Sequence, residues 1–223
     1  MYMRIIAFGD VHMDFRFVPT IPGIRDADLV LLTGDLTNYG GRKEAQEVVS
    51  GLFSYNKNLL ALAGNLDHKE VEAYLSGLGI NLHGHGKIIG KIGLVGLGGS
   101  NPTPFNTPNE YSEGELAAAL EKGFEEVKDA AAHILVSHTP PHDTITDRLR
   151  NGAHVGSRAV RAFIEARQPA VCLVGHIHEA RGEDHIGTSH IINPGMVRDG
   201  YWVEILCEPE KIRAVMKVKG NKG

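Results

Sequence analysis

The sequence predicts an α/β fold, and three observations carry the prediction. Five apolar runs rich in β-branched residues lie at 4–8, 28–32, 58–62, 133–136 and 170–174. Short runs of this kind, without polar alternation, read as strands buried on both faces. Between the first three of them and just beyond, over 41–53 and 67–78, apolar residues recur at helical spacing. Strand–helix alternation of this kind marks crossover units and a mostly parallel sheet. Each run also ends in a polar island: Gly9-Asp10-Val11-His12, Gly34-Asp35-Leu36-Thr37-Asn38, Gly64-Asn65-Leu66-Asp67, Ser137-His138 and Gly175-His176-Ile177-His178. Ligands of open α/β sheets collect beyond the carboxyl ends of the strands, so five such islands can converge on one site.

The remaining elements follow in order. Residues 112–127 repeat the helical spacing, and 157–166 make a fourth helix that stops before Pro169. The segments 81–82, 87–89, 92–97, 183–186, 190–192, 201–206 and 211–218 are β-rich and are expected to form hairpins and a second sheet packed on the first. Residues 98–109, with three prolines and three asparagines, form either a lid or a surface excursion. With no internal repeat and no linker, residues 1–223 are expected to make a single domain, with 217–223 a flexible tail.

A chain of 223 residues, 42% hydrophobic and 22% charged, can bury one sizeable core. Its net charge of -4 argues against a broad basic face for nucleic acid. The Lys-rich stretch 211–222 reads as a solvated, partly frayed end in preference to a basic patch. No stretch approaches the roughly 20 apolar residues of a membrane span. The start runs straight into the first strand, so the expectation is a soluble, cytoplasmic protein with no membrane partner. Cys172 and Cys207 fall in apolar strands and read as buried free thiols, not as a disulfide.

Asp10 and His12 are two apart in an extended segment, where side chains project to the same side and can grip one ion together. His176 and His178 repeat the spacing. Asp35 and Asn65 each follow a glycine that permits a tight turn near an ion, although Asp35 also suits a cap and Asn65 a left-handed turn. Asp67 and Glu70 match a capping box at the next helix, which leaves Asp67 a cap with a supporting role at the site still open. His83 and His85 lie in a Gly-rich turn and read as surface, not as a third metal site. His185 and His190 sit on an expected edge hairpin. Arg158 and Arg161 share a helix face and suit solvation more than substrate phosphate.

The ordered series GDxH, GDxxx, GNxD, H and GHxH resembles the calcineurin-like metallophosphoesterases, in particular their compact single-domain, phosphodiesterase-like members. The resemblance spans Asp10 to the hairpin after His178. It implies a four-layer α/β/β/α sandwich of two mixed sheets with two divalent metals at one end. Asp10, His12, Asp35 and His178 would hold the first metal, and Asp35, Asn65, His138 and His176 the second, with Asp35 as the bridge. Two-metal hydrolases keep their ions roughly 3.5–4 Å apart. A donor set of carboxylate, amide and imidazole without thiolate suits Mn, Fe, Zn, Ni or Mg, with Mn favoured. Water shared by the two ions is expected to ionise near neutral pH and to attack phosphorus in line. Asp35, Asn65 and His138 are thus the expected catalytic core, acting on a small phosphate ester.

Many relatives carry His after the Gly-Asn of the third motif, and that His is thought to protonate the leaving oxygen; here Leu66 stands in its place. The departure favours good leaving groups, and phosphodiesters over monoesters. His68, His142 and His154 are the candidate replacement acids or substrate contacts. His68 opens a helix and suits solvent, His142 lies four residues after His138, and His154 precedes a helix start where phosphate can dock. A scaffold or interaction protein, like the retromer scaffold subunit of this fold, is the rival reading. A nuclease ranks below both, because of the acidic balance.

Overall fold

The computed structural model describes residues 2–208 and 211–220. In chain order its elements are β1 (Met3–Phe8), β2 (Leu29–Leu32), α1 (Arg42–Phe53), β3 (Leu59–Ala61), α2 (Lys69–Gly77), β4 (Gly86–Ile89), β5 (Ile92–Leu97), α3 (Glu113–Glu125), β6 (Ala132–Ser137), α4 (Arg158–Arg167), β7 (Val171–Leu173), β8 (Gly182–Ile186), β9 (Ser189–Asn193), β10 (Tyr201–Cys207) and β11 (Ile212–Val218).

These strands form two mixed sheets. The first has the order β11-β10-β1-β2-β3, the second β4-β5-β6-β7-β9-β8. Strands β1, β2 and β3 are parallel, as are β5, β6, β7 and β9, while β10, β11, β4 and β8 pair antiparallel at the flanks.

The alternation of side chains along a strand explains the layers. Leu94, Ile134, Val136, Leu173 and Ile192 point from the second sheet into a core shared with Ile5, Ile6, Val30 and Leu31 of the first. Their neighbours Val95, Leu97, Leu135, Cys172 and Ile191 point the other way and pack on Leu116 and Leu120 of α3 and Val160, Phe163 and Ile164 of α4. Ala45, Val48, Val49, Val71 and Leu75 of α1 and α2 join the first core. The result is the expected α/β/β/α sandwich.

Four expectations need correction. The hairpin 201–218 extends the first sheet beside β1, not the second. Residues 81–82 make no strand; Asn81 contributes one isolated bridge to Ala61. Lys217 and Val218, placed in a tail by the sequence, pair with Trp202 and Tyr201 at the end of the antiparallel ladder between β10 and β11. The rest of the expected tail, 221–223, lies outside the described residues. Fourth, α2 starts at Lys69 with His68 as N-cap and no side-chain cap bond, so Asp67 does not close a capping box. Glu70 instead accepts from the backbone N–H of Arg42, at the start of α1.

Both cysteines are free and buried, as expected. No helix among the described residues is long and apolar enough to cross a membrane.

Candidate metal centre

All five polar islands meet at one end of the sandwich, although their strands belong to two sheets. The ladder between β1 and β2 continues past the strand ends, with Asp10, His12 and Met13 donating N–H to Gly34, Asp35 and Leu36 carbonyls. The second sheet adds His138, whose N–H bonds to the Leu97 carbonyl, and Gly175, whose N–H bonds to the His138 carbonyl. Asp10, His12, Asp35 and His176 all adopt the left-handed backbone region, with φ of 48, 48, 48 and 67°. That conformation is strained for non-glycine residues. Gly34 and Gly64 allow the close approach: a Cβ on Gly34 would strike the His138 ring, and one on Gly64 would strike Asp35.

One cluster gathers Asp10, His12, Asp35 and His178, whose ligand atoms all lie within 4.8 Å of one another. His12 Nε2 and His178 Nε2 are 3.0 Å apart, His178 Nε2 is 3.2 Å from Asp10 Oδ1, and His12 Nε2 is 3.8 Å from Asp35 Oδ2. Asp10 Oδ2 and His12 Nδ1 are buried without a hydrogen-bond partner among the described residues. A buried carboxylate oxygen left in that state is costly unless a cation meets it.

Beside this cluster, His138 Nε2 lies 2.9 Å from Asn65 Oδ1 and 3.5 Å from Asp35 Oδ1. The tautomer follows from the far side of the ring, where Nδ1 sits 2.9 Å from the Thr33 carbonyl and must donate to it. Burial lowers the His138 pKa to about 4, so at neutral pH Nε2 carries a lone pair. Asn65 Nδ2 donates to Thr107 Oγ1 at 3.0 Å, which leaves Oδ1 facing His138. His138 Nε2 and Asn65 Oδ1 therefore face each other as two acceptors with no proton to share, an arrangement that a cation satisfies and a hydrogen bond does not. The His176 ring stands 5.2 Å from that of His138.

Electrostatics fit the same reading. Burial and the charges of Asp67 and Asp10 push the Asp35 carboxyl well above the ordinary carboxylate range. Burial also raises Asp10, but the His178 hydrogen bond and the neighbouring imidazoles outweigh it and hold Asp10 down to about 2. Burial lowers His176 to about 3 and lowers His12 as well. For His178 burial acts downward, but the hydrogen bond and charge of Asp10 leave it raised. Neutral imidazoles and crowded carboxylates are a donor set suited to a divalent cation.

Asp67 supports this end of the molecule. Its fully buried carboxylate accepts from the N–H groups of Leu36, Thr37 and Gly64 and from the Thr37 hydroxyl, tying the β2 loop to the β3 loop. Leu66 is half-buried, and its backbone N–H, not its side chain, serves the site by donating to Asp35 Oδ1.

The candidate acids lie apart from these ligands in the contacts they make. His68 is exposed at the start of α2. The rings of His142 and His154 are 6.0 Å apart. His154 Nδ1 sits 2.6 Å from Asp147 Oδ1, and the buried Asp147 also accepts from the N–H groups of Asp143, Thr144 and Gly156. The helix start after His154 offers no phosphate dock: Glu113 of α3 already accepts from Arg158 N, Ala159 N and Ser157 Oγ there. Arg161 is neither free for phosphate nor merely solvated, since its Nη1 donates to the His142 and Asp143 carbonyls. His83 is more than a surface turn. Its Nδ1 accepts from Gly98 N–H and its ring stacks on Tyr111 at 4.9 Å.

Sequence reasoning missed Thr33, Thr107, Asn109 and Asn193. Asn193 ends β9 and donates toward the Thr146, Gly175 and Ile177 carbonyls, fastening the segment 145–147 to the loop of His176 and His178. The rule of polar residues at strand ends would have found Thr33 and Asn193. Thr107 and Asn109 carry no such signal.

Comparison with known proteins agrees with this geometry. Residues 3–180 match the family model for calcineurin-like phosphoesterases. An uncharacterized protein of Methanocaldococcus jannaschii is 39% identical over 198 residues, covering 86% of this chain and 88% of its own. A crystal structure from Thermus thermophilus superposes with a TM-score of 0.71 at 19% identity, covering 96% of this chain and 99% of that one. Phosphopantetheinyl hydrolase of Mycobacterium tuberculosis superposes with a TM-score of 0.59 at 11% identity, over 87% of this chain and 90% of that one. At these identities the two superpositions speak to the fold alone.

Proposed function

Since the chain belongs to the calcineurin-like phosphoesterase family, we propose that it is a divalent-metal-dependent phosphodiesterase with two cation positions that share Asp35. Asp10, His12, Asp35 and His178 would hold one ion, and Asp35, Asn65, His138 and His176 the other, with Mn the favoured metal. Bound there, the ions act as Lewis acids toward phosphoryl oxygens and make water acidic enough to attack phosphorus near neutral pH.

The protein's own part is to hold the donors in place before substrate arrives. Thr33 fixes the His138 tautomer, Asp67 locks the Asp35 and Asn65 loops together, and Leu66 N–H orients one Asp35 oxygen. With Leu66 supplying no proton, substrates whose leaving group needs little protonation are favoured, and diesters rank above monoesters. Where a leaving group does need a proton, the candidate donors are His68, His142 and His154, the last held at Nδ1 by Asp147. The net charge of -4 weighs toward small phosphate esters over nucleic acid, and two free buried thiols suit a reducing, cytoplasmic setting.

The observation that carries this reading is the meeting of His138 Nε2 and Asn65 Oδ1 as acceptors with no proton between them, within reach of Asp35 and beside the cluster of Asp10, His12, Asp35 and His178. The test strips the full chain of metal, restores MnCl2 and follows bis-p-nitrophenyl phosphate and p-nitrophenyl phosphate. Mn-dependent turnover, faster on the diester, is expected. No turnover on either substrate would favour the interaction-module reading.

A further inference from the structure

Residues 98–109 are neither a lid nor a loose excursion. Gly99 N–H bonds to the Ala63 carbonyl, Asn109 N–H to the Asn65 carbonyl, and Tyr111 N–H to the Ser100 carbonyl. Asn109 Nδ2 donates to the Gly64 carbonyl. Asn101 Nδ2 donates to the Val155 carbonyl and Asn101 Oδ1 accepts from the Thr139 hydroxyl, so the loop is fastened at both ends. It presents one buried hydroxyl, Thr107, to the Asn65 amide.

The direction of each bond in this chain is forced. Glu110 Oε1 accepts from Thr107 N–H at 2.7 Å, and lies 2.6 Å from both the Thr103 and Thr107 hydroxyls. A hydroxyl has one proton, and that of Thr107 is committed to the carboxylate. Its oxygen is left only lone pairs, so toward Asn65 it accepts. The amide must then present Nδ2 to Thr107 and Oδ1 to His138; the opposite flip would set two acceptors against each other at Thr107.

From this geometry we infer that Thr107 and Glu110 are positioning residues that aim the Asn65 amide oxygen at the second cation position. The inference rests on the two-cation reading above and deepens it. Partners that orient a metal ligand in this way set its affinity, and losing one weakens metal binding by about 10- to 100-fold.

The test titrates MnCl2 into metal-free wild type, Thr107→Val and Thr107→Ser, with the melting temperature in EDTA as the control on folding. Wild type is expected to bind two ions. Thr107→Val should keep one affinity within about twofold and weaken the other by about 10- to 100-fold, while Thr107→Ser, which keeps the hydroxyl, should restore the wild-type isotherm. If Thr107→Val does not fold, Glu110→Ala should show the same selective loss. Two wild-type affinities in both variants would overturn the inference and leave the functional reading standing. Equal weakening of both sites with a lower EDTA melting temperature would reduce the relay to a structural prop and also overturn it. A wild-type chain that binds fewer than two ions would overturn the two-cation reading and the inference with it.

Discussion

Four of the nine described non-glycine residues with positive φ are Asp10, His12, Asp35 and His176. Each such residue stores about 1 kcal/mol or more of strain, which the surrounding hydrogen bonds must offset. Asp67 bears much of that load. Asp67→Ala would strand three backbone donors in a dry interior and should lower stability by about 3–5 kcal/mol, read from chemical denaturation. Asp35→Asn tests the proposed shared ligand: metal analysis should show reduced occupancy of both proposed positions, whereas His138→Ala should mainly reduce the second. Equal metal content in Asp35→Asn and wild type would contradict the shared ligand. Leu66→His should raise turnover of p-nitrophenyl phosphate relative to the diester. Unchanged preference and pH profile would mean that position 66 does not face the leaving group.

Elements rather than single residues hold the rim. The start of α4 is closed by Glu113 from α3, a contact between helices that no local capping rule anticipates. Glu113→Ala should therefore cost about 1–2 kcal/mol of stability, as loss of a good cap does, while leaving Mn stoichiometry unchanged. The hairpin of β10 and β11 was legible as a hairpin, because alternation and turn residues are local signals. Its place beside β1 was not. A strand joins a sheet along an edge whose backbone groups are still unpaired, and β1 has β2 on one edge, which leaves the other for β10.

At the scale of the whole molecule, the sandwich concentrates buried charge at one end. In the metal-free chain Asp35 binds its proton more tightly than an unfolded carboxyl does. That contribution to stability is full below the unfolded value of 3.8 and is lost as pH rises through the raised native value. Buried His138 and His176 act oppositely, their lowered values making stability fall as pH drops from 6.5 toward about 4 and about 3. A cation needs Asp35 ionised and His178 neutral, and both hold their protons more tightly in the metal-free fold than in the unfolded chain, so the rise in melting temperature on adding MnCl2 should be larger at pH 8 than at pH 5.5. Calorimetry in buffers of different ionisation enthalpy should register proton release on binding. A shift independent of pH would count against the Asp35 and His178 pair as ligands.

The sequence by itself determined the strands, the helices, the polar islands at strand ends and the residue types suited to divalent cations, because periodicity and spacing are local properties of the chain. Only the tertiary structure decided that the islands of two different sheets face one another, that Asp67 ties loops instead of capping a helix, and that Thr107 and Glu110 aim Asn65. Those outcomes depend on which hydrogen-bond donor meets which acceptor across segments far apart in sequence, and no spacing rule carries that information.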